Sequence, residues 1–210
     1  MERTPTEPPA PVRLVPYGKD DFPQLVRHNT PEMTAHLGGP ETEEKLRDRH
    51  HRYLHLGGTG RMFKIVTTAP EPDTEADTGA DGETGTETGT ETGTEARTEA
   101  TAGLVGYWES IHSGHTIWET GWGVLPEFQG RGLAVAGTRL VAEEARAAGR
   151  HTALHAFPAA TNGPSNAVCR KAGFTLVGAG DLEYPKGRWS RCNDWALDLT
   201  TGAPKQPRTG

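Results

Sequence analysis

A mixed α/β sheet is the fold class this sequence predicts, and three observations carry it. From Trp118 to Leu125 bulky and small or polar residues alternate, with Trp118, Thr120, Trp122 and Val124 on one side and Glu119, Gly121 and Gly123 on the other. That period of two is a strand. Leu133, Val135, Ala136, Leu140, Val141 and Ala145 then recur at helical spacing, with Gly149 as a stop. Elsewhere short alternating runs interleave with capped amphipathic stretches. The predicted order is βααβββαβαββ, a central mixed sheet flanked by helices.

Taken in order, Val12 to Val15 is the first strand. Lys19-Asp20-Asp21-Phe22-Pro23 opens a helix to about His28, with acidic residues and an early proline at its start. Thr30-Pro31-Glu32 starts a second short helical piece. Glu41 to Leu56 is a stronger helix, with acids in its first turn and Gly57-Gly58 at its end. Met62 to Thr67 and Gly103 to Ile111 are the second and third strands. Pro126 ends the fourth, since proline cannot donate to a ladder. Thr152 to Phe157, Phe174 to Tyr184 and Asn193 to Leu199 are strands five to seven, with a short helix over Asn162 to Ala172.

The chain has 210 residues, enough for one domain with a sizeable core. We place that domain at 12–200, between a polar, proline-rich tail at 1–11 and a polar tail at 201–210. The net charge of −6 is unevenly spread. Residues 70–101 hold ten acids and one base, Arg97, so they carry −9 and the rest of the chain +3. Within that segment Thr-Glu-Thr-Gly repeats at a period of four, which is not the helical 3.6 and leaves no apolar face to bury. Low hydrophobicity and like-charge repulsion predict a disordered insert between two paired strands. Loop closure cost grows slowly with length, so the fold tolerates it. The mildly basic remainder suits a polyanionic ligand without demanding nucleic acid.

Two cysteines, Cys169 and Cys192, make neither a disulfide framework nor a metal cluster. No HExxH or Cys-paired spacing accompanies His112, His115, His151 and His155, so no metal is expected. Trp108, Trp118, Trp122, Trp189 and Trp195 read as core and pocket wall, because no nucleic-acid-binding pattern accompanies them. No apolar run is long enough for a transmembrane helix, and residues 1–11 lack a signal-peptide core. A cytoplasmic protein without membrane or nucleic-acid partners is the expectation, and a homodimer is left open.

The segment that organises the chain is Gln129-Gly130-Arg131-Gly132-Leu133-Ala134, between the fourth strand and the long helix. Its glycines allow a sharp turn and close approach of a ligand to backbone. The helix start offers unpaired N–H groups and partial positive charge, an arrangement suited to phosphate. It is neither a Walker loop nor a dinucleotide-binding GxGxxG.

Val124-Leu125-Pro126-x-x-Gln129-Gly130-Arg131-Gly132-x-Ala134 resembles the Gln/Arg-x-x-Gly-x-Gly/Ala motif of the GNAT superfamily, the GCN5-related N-acetyltransferases. Asn162-Gly-Pro-Ser165, followed by a short helix and Gly173-Phe174, resembles that family's next block. The resemblance is specific over Trp118 to Phe174. It implies a GNAT-like fold and acetyl transfer from acetyl-CoA to a primary amine by direct attack, the acceptor being a small molecule or a peptide.

It also implies roles. Backbone N–H groups of Gln129, Gly130, Arg131, Gly132, Leu133 and Ala134 would face the pyrophosphate. Val124 and Leu125 would pair with the pantetheine arm, and Asn162 and Ser165 would complete the cofactor side. Residues 28–40 would lie on the acceptor side. A base must take the amine proton. Glu119, in a Glu-x-Gly-aromatic pattern shared with ribosomal-protein-alanine and small-molecule enzymes, is the candidate, with Glu109 second. The tyrosine that protonates the leaving thiolate in relatives is replaced by Cys169, so Tyr184 is the substitute candidate. The rival reading is a catalytically inactive acyl-CoA-binding sensor or scaffold.

Overall fold

The computed structural model describes residues 11–68 and 98–201. The elements are β1 (Arg13–Pro16), α1 (Phe22–His28), α2 (Glu43–Leu54), β2 (Gly60–Thr68), β3 (Glu99–His112), β4 (His115–Val124), α3 (Leu133–Ala148), β5 (Ala153–Ala156), α4 (Gly163–Ala172), β6 (Thr175–Glu183) and β7 (Trp189–Asp198). The seven strands form one sheet in the order β1-β2-β3-β4-β5-β7-β6. Among the described residues only β4 and β5 pair in parallel. Among the described residues no helix is long and apolar enough to cross a membrane.

Several boundaries moved. Thr30-Pro31-Glu32 forms turns rather than a second helix. β3 begins at Glu99, inside the stretch assigned to the insert, because Glu99, Ala100 and Thr101 pair with Thr68, Thr67 and Val66 of β2. The Arg13 guanidinium also meets the Glu99 carboxylate there. The rest of the repeat segment, 69–97, lies outside the described residues, as do residues 1–10 and 202–210 of the two expected tails. β7 starts at Trp189, ahead of the expected Asn193, because its polar first half pairs with β6.

Alternation splits the sheet's two faces between two cores. Val105, Tyr107, Trp118 and Val124 face α3, where they pack with Val141, Ala142 and Ala145. Trp118 is fully buried, edge-on to Tyr107 at 4.9 Å. Gly137 of α3 sits where a Cβ would stand 2.8 Å from Ile65 Cδ1, so glycine lets the helix lie against β2. Leu104, Trp108 and Met62 face the opposite way and pack with Leu25 of α1 and Leu46 of α2. The β3–β4 hairpin turns through Ser113 and Gly114, both with positive φ, the conformation two-residue hairpins favour.

Candidate active site

β4 and β5 are paired in register at two positions, Trp118 opposite Leu154 and Glu119 opposite His155. Beyond Glu119 the two strands separate, while β4 stays paired to β3 as far as Val124. A gap therefore opens beside the C-terminal half of β4. Leu125 donates its N–H to Ala102 O at 2.9 Å. By antiparallel alternation the N–H groups of Trp122 and Val124 point away from β3, into the gap. Of the expected pair, Leu125 has its N–H committed to the ladder, while Val124 has one to offer. The Val124 carbonyl accepts from Gln129 Nε2 at 2.9 Å, which ties the following loop to the strand end.

That loop turns through Gly130 and Gly132, each at φ 75°, and a Cβ at either would meet nothing within 4 Å. Gly132 caps α3 without a side-chain hydrogen bond. Among the described residues the N–H groups of Gly130, Arg131, Gly132, Leu133 and Ala134 meet no acceptor. Five open N–H groups at the start of a sixteen-residue helix make a cradle for an anion. Gln129 differs from its expectation, since its N–H donates to Pro126 O at 3.1 Å. Arg131 folds back, with its guanidinium 5.7 Å from the Phe128 ring centre and Nη2 donating to Thr68 O at 3.3 Å. Its contribution to the cradle is its backbone.

Asn162 is the N-cap of α4, its Oδ1 accepting from Ser165 N at 3.1 Å. Both expected residues are thus engaged with each other at the helix start. Their neighbour Asn166 was missed. It is buried, donates Nδ2 to Ala159 O and Asn162 O, and accepts from Asn193 Nδ2 and Trp195 Nε1. Its signal was a polar residue one turn before the buried Cys169, on the same helix face.

Glu119 lies on the α1–α2 face of β4. Burial pushes its carboxyl above the usual value, against hydrogen bonds from Ser110 and Trp108 and the nearby imidazoles of His112 and His155. Along the same face Trp108 covers Gly121 and His28 covers Gly123, each so close that a Cβ would come within 2.9 Å of the ring. His28, the first residue of the expected acceptor-side stretch, donates Nδ1 to Gln24 O at 2.7 Å, and burial lowers its pKa. Met33 reaches both Gly123 and Gln129, which brings the 28–40 turn over the end of β4.

Glu109 has different surroundings. It faces the α3 side, opposite Trp118, and accepts from Arg150 Nη2 at 2.8 Å and His151 Nε2 at 3.0 Å. Cys169 is fully buried in the core, where burial pushes its thiol up to about 12, so it cannot stand in for a proton donor. Tyr184 is half-exposed past the end of β6, and its hydroxyl accepts from Arg49 Nη2 at 2.9 Å, engaged with α2 rather than with β4. Among the described residues no group of three or more His, Cys, Asp or Glu side chains could hold a metal.

Three solved structures share this architecture. A spermidine N-acetyltransferase from Vibrio cholerae, in complex with CoA and spermine, matches with a TM-score of 0.62 at 15% identity over 90% of this chain and 96% of its own. RimL, a ribosomal L7/L12 alpha-N-protein acetyltransferase in complex with coenzyme A, matches at 0.62 and 20% identity, over 89% and 93%. An acetyltransferase from Salmonella typhimurium that modifies the N-terminal serine of ribosomal protein L7/L12 matches at 0.61 and 19%, over 89% and 94%. At these identities the likeness is one of fold. No curated protein sequence matches the chain. A family profile described as Acetyltransferase (GNAT) domain matches residues 12–175, well over half the chain. By that match, on a fold with a splayed strand pair and an open anion cradle, the chain belongs to the GNAT family as an acetyl-CoA-dependent N-acetyltransferase.

Proposed function

We propose that this enzyme acetylates a primary amine by direct attack, with Glu119 as the base. The observation that supports the reading is the position of Glu119. It is a partly buried carboxylate at the last paired residue before β4 and β5 part, with the anion cradle at the far end of the same strand. Acetyl-CoA supplies an acyl thioester. The chain's own groups supply the rest. The N–H groups of Gly130 to Ala134 hold a pyrophosphate by charge-assisted hydrogen bonds, stronger than neutral ones. The free N–H groups of Trp122 and Val124 take the pantetheine as an added strand, and one that faces the carbonyl oxygen stabilises the negative charge that develops on it. Asn162 and Ser165 order the facing wall.

An amine with an ordinary pKa near 10.4 is free base only about once in a thousand molecules at neutral pH. It must shed a proton before attack, and a carboxylate whose proton affinity is raised by burial is a better acceptor than an exposed one. The acceptor enters over the 28–40 turn. The Vibrio relative was solved with a polyamine and the Salmonella relative modifies a protein N-terminus, and an aliphatic amine is common to both. A second reading, a CoA-binding sensor without turnover, is favoured by one observation, the buried Cys169 where relatives carry an acid. Incubation with acetyl-CoA and a panel of polyamines, amino acids and peptide N-termini, followed by free-thiol release, decides between them. Amine-dependent thiol release supports transfer, and CoA binding without any release across the panel supports the sensor.

A further inference from the structure

The 28–40 turn is held from two sides. Asn29 closes its base, with Nδ2 donating to Glu41 O and Oδ1 accepting from Glu41 N, both at 2.8 Å. Arg49 Nη2 of α2 lies 2.8 Å from Glu41 Oε1 and 2.9 Å from the Tyr184 hydroxyl, so one guanidinium joins the turn to the β6–β7 hairpin. Gly38, at φ 99°, lies so close to the hairpin that a Cβ there would stand 2.6 Å from Pro185 Cδ. Between turn and hairpin is a cavity of about 230 Å³. One wall is His36, on the turn whose Met33 reaches Gly123 at the end of β4. A second is Ala159 and Thr161, on the chain leaving β5, with Ala159 bridged to Cys192 of β7. The third is Arg188, Ser190 and Arg191. The cavity thus lies across the gap between β4 and β5. Ala159 is four residues past His155, the partner of Glu119, so at most about 14 Å of chain separates the cavity wall from that pairing. Every polar side chain lining it can donate a hydrogen bond, and two are guanidiniums. Among the described residues no carboxylate lines it. Arg188 makes no ion pair among them, and Arg191 reaches Asp181 Oδ1 only at 3.7 Å, with the two side chains 61% and 62% exposed. Glu183, at the hairpin turn, accepts from the Gly187 N–H at 2.7 Å.

We propose that this cavity is the selectivity subsite for the acceptor: it takes a carboxylate carried by the amine, held by Arg188 and Arg191 with Ser190 and His36 donating beside them. A cleft lined by one sign of charge concentrates ligands of the opposite sign. The guanidinium fork matches the two oxygens of a carboxylate. The cavity therefore selects amines that also carry a carboxylate. A polyamine, such as the one found with the Vibrio relative, brings only positive charge and is repelled. A span of up to about 14 Å from the Glu119 pairing is the reach of an acidic side chain within the first four residues of an extended peptide N-terminus. A free acidic amino acid offers the same chemistry over a shorter span. The inference rests on the proposed acetylation of an amine, and it stands whichever group is the base.

The test uses the full chain, acetyl-CoA and initial-rate thiol release. The acceptors are two C-terminally amidated tetrapeptides, Ala-Glu-Glu-Ala and Ala-Gln-Gln-Ala, with free glutamate and spermidine beside them. The Glu peptide should exceed the Gln peptide in kcat/KM by at least about tenfold, the worth of a hydrogen bond to a charged group, and should exceed spermidine. Replacing both arginines, Arg188→Ala with Arg191→Ala, should bring the Glu-to-Gln ratio close to one through KM for the peptide and leave KM for acetyl-CoA unchanged. Arg188→Glu should invert the preference, which a loss of packing would not do. Preference for free glutamate over the Glu peptide, lost in the same variants, keeps the subsite and makes its ligand the small acid. A wild-type ratio near one with spermidine the better acceptor overturns the subsite, as does a ratio that Arg188→Glu leaves unmoved. Absence of thiol release with every amine refutes the acetylation reading instead. Calorimetry of the Glu peptide with the CoA-bound protein then decides the subsite: binding that Arg188→Glu abolishes supports it, and no binding, or binding indifferent to Arg188→Glu, overturns it.

Discussion

Replacing Glu119 with Gln keeps the shape of the side chain and its bonds from Ser110 and Trp108, and removes its ability to take a proton. Without a base the enzyme must wait for acceptor that arrives already deprotonated. For an amine of pKa near 10.4 at pH 7 that restriction is worth about a thousandfold, inside the 10²–10⁴ range of general base catalysis. The deficit should shrink about tenfold for each pH unit gained and vanish near the amine's own pKa, because free amine rises in that proportion. Acetyl-CoA affinity should be unchanged, since the cradle lies at the other end of β4. Burial raises the Glu119 pKa, so wild-type activity should fall as pH drops through a midpoint above the usual carboxylate range, and that limb should be missing in the variant.

Stability should move the other way. A carboxyl whose folded pKa is raised costs stability once pH exceeds its unfolded value, and the cost reaches its full size above the folded one. Glu119→Gln should therefore melt higher than wild type at pH 7 and equal to it below about pH 4, by differential scanning calorimetry. The decisive assay is initial-rate thiol release between pH 6 and 10. A loss of constant size across that range would refute proton abstraction and assign Glu119 to binding the ammonium.

Three further outcomes follow from the geometry. Gly132→Glu sets a carboxylate among the open N–H groups at the α3 start, at a φ that costs a side chain about 1–2 kcal/mol, so calorimetry should show CoA binding lost in a protein that still folds. Asn166→Ala strips partners from Asn193, Trp195 and two carbonyls, and should cost roughly 2–4 kcal/mol, seen as a melting temperature lower by on the order of 5–15 °C. Glu109→Gln removes the charge from its contacts with Arg150 and His151 on the α3 face, so kcat should stay within about twofold while stability falls by about 1 kcal/mol. A large loss of kcat there, with the fold intact, would restore Glu109 as a candidate base.

What the sequence determined by itself was everything that short-range periodicity and backbone conformation encode. The alternation from Trp118 to Val124, the helical spacing from Leu133 and the positive-φ glycines at 130 and 132 are local signals, and each sits where those residues led us to expect. The extent of β3 was not local: Glu99 to Thr101 have no strand signature of their own and join the ladder because Thr68 to Val66 are beside them. The choice between Glu119 and Glu109 could not be read from the chain either. Both alternate on strands, and only the packing of α3 on one face and of α1 and α2 on the other gives the two carboxylates different surroundings. Likewise the separation of β4 from β5, the N–H groups it frees, and the meeting of His155 with Asp194 and of Asn166 with Trp195 join residues far apart in sequence. Such contacts depend on register and crossover in three dimensions, which a one-dimensional pattern does not carry.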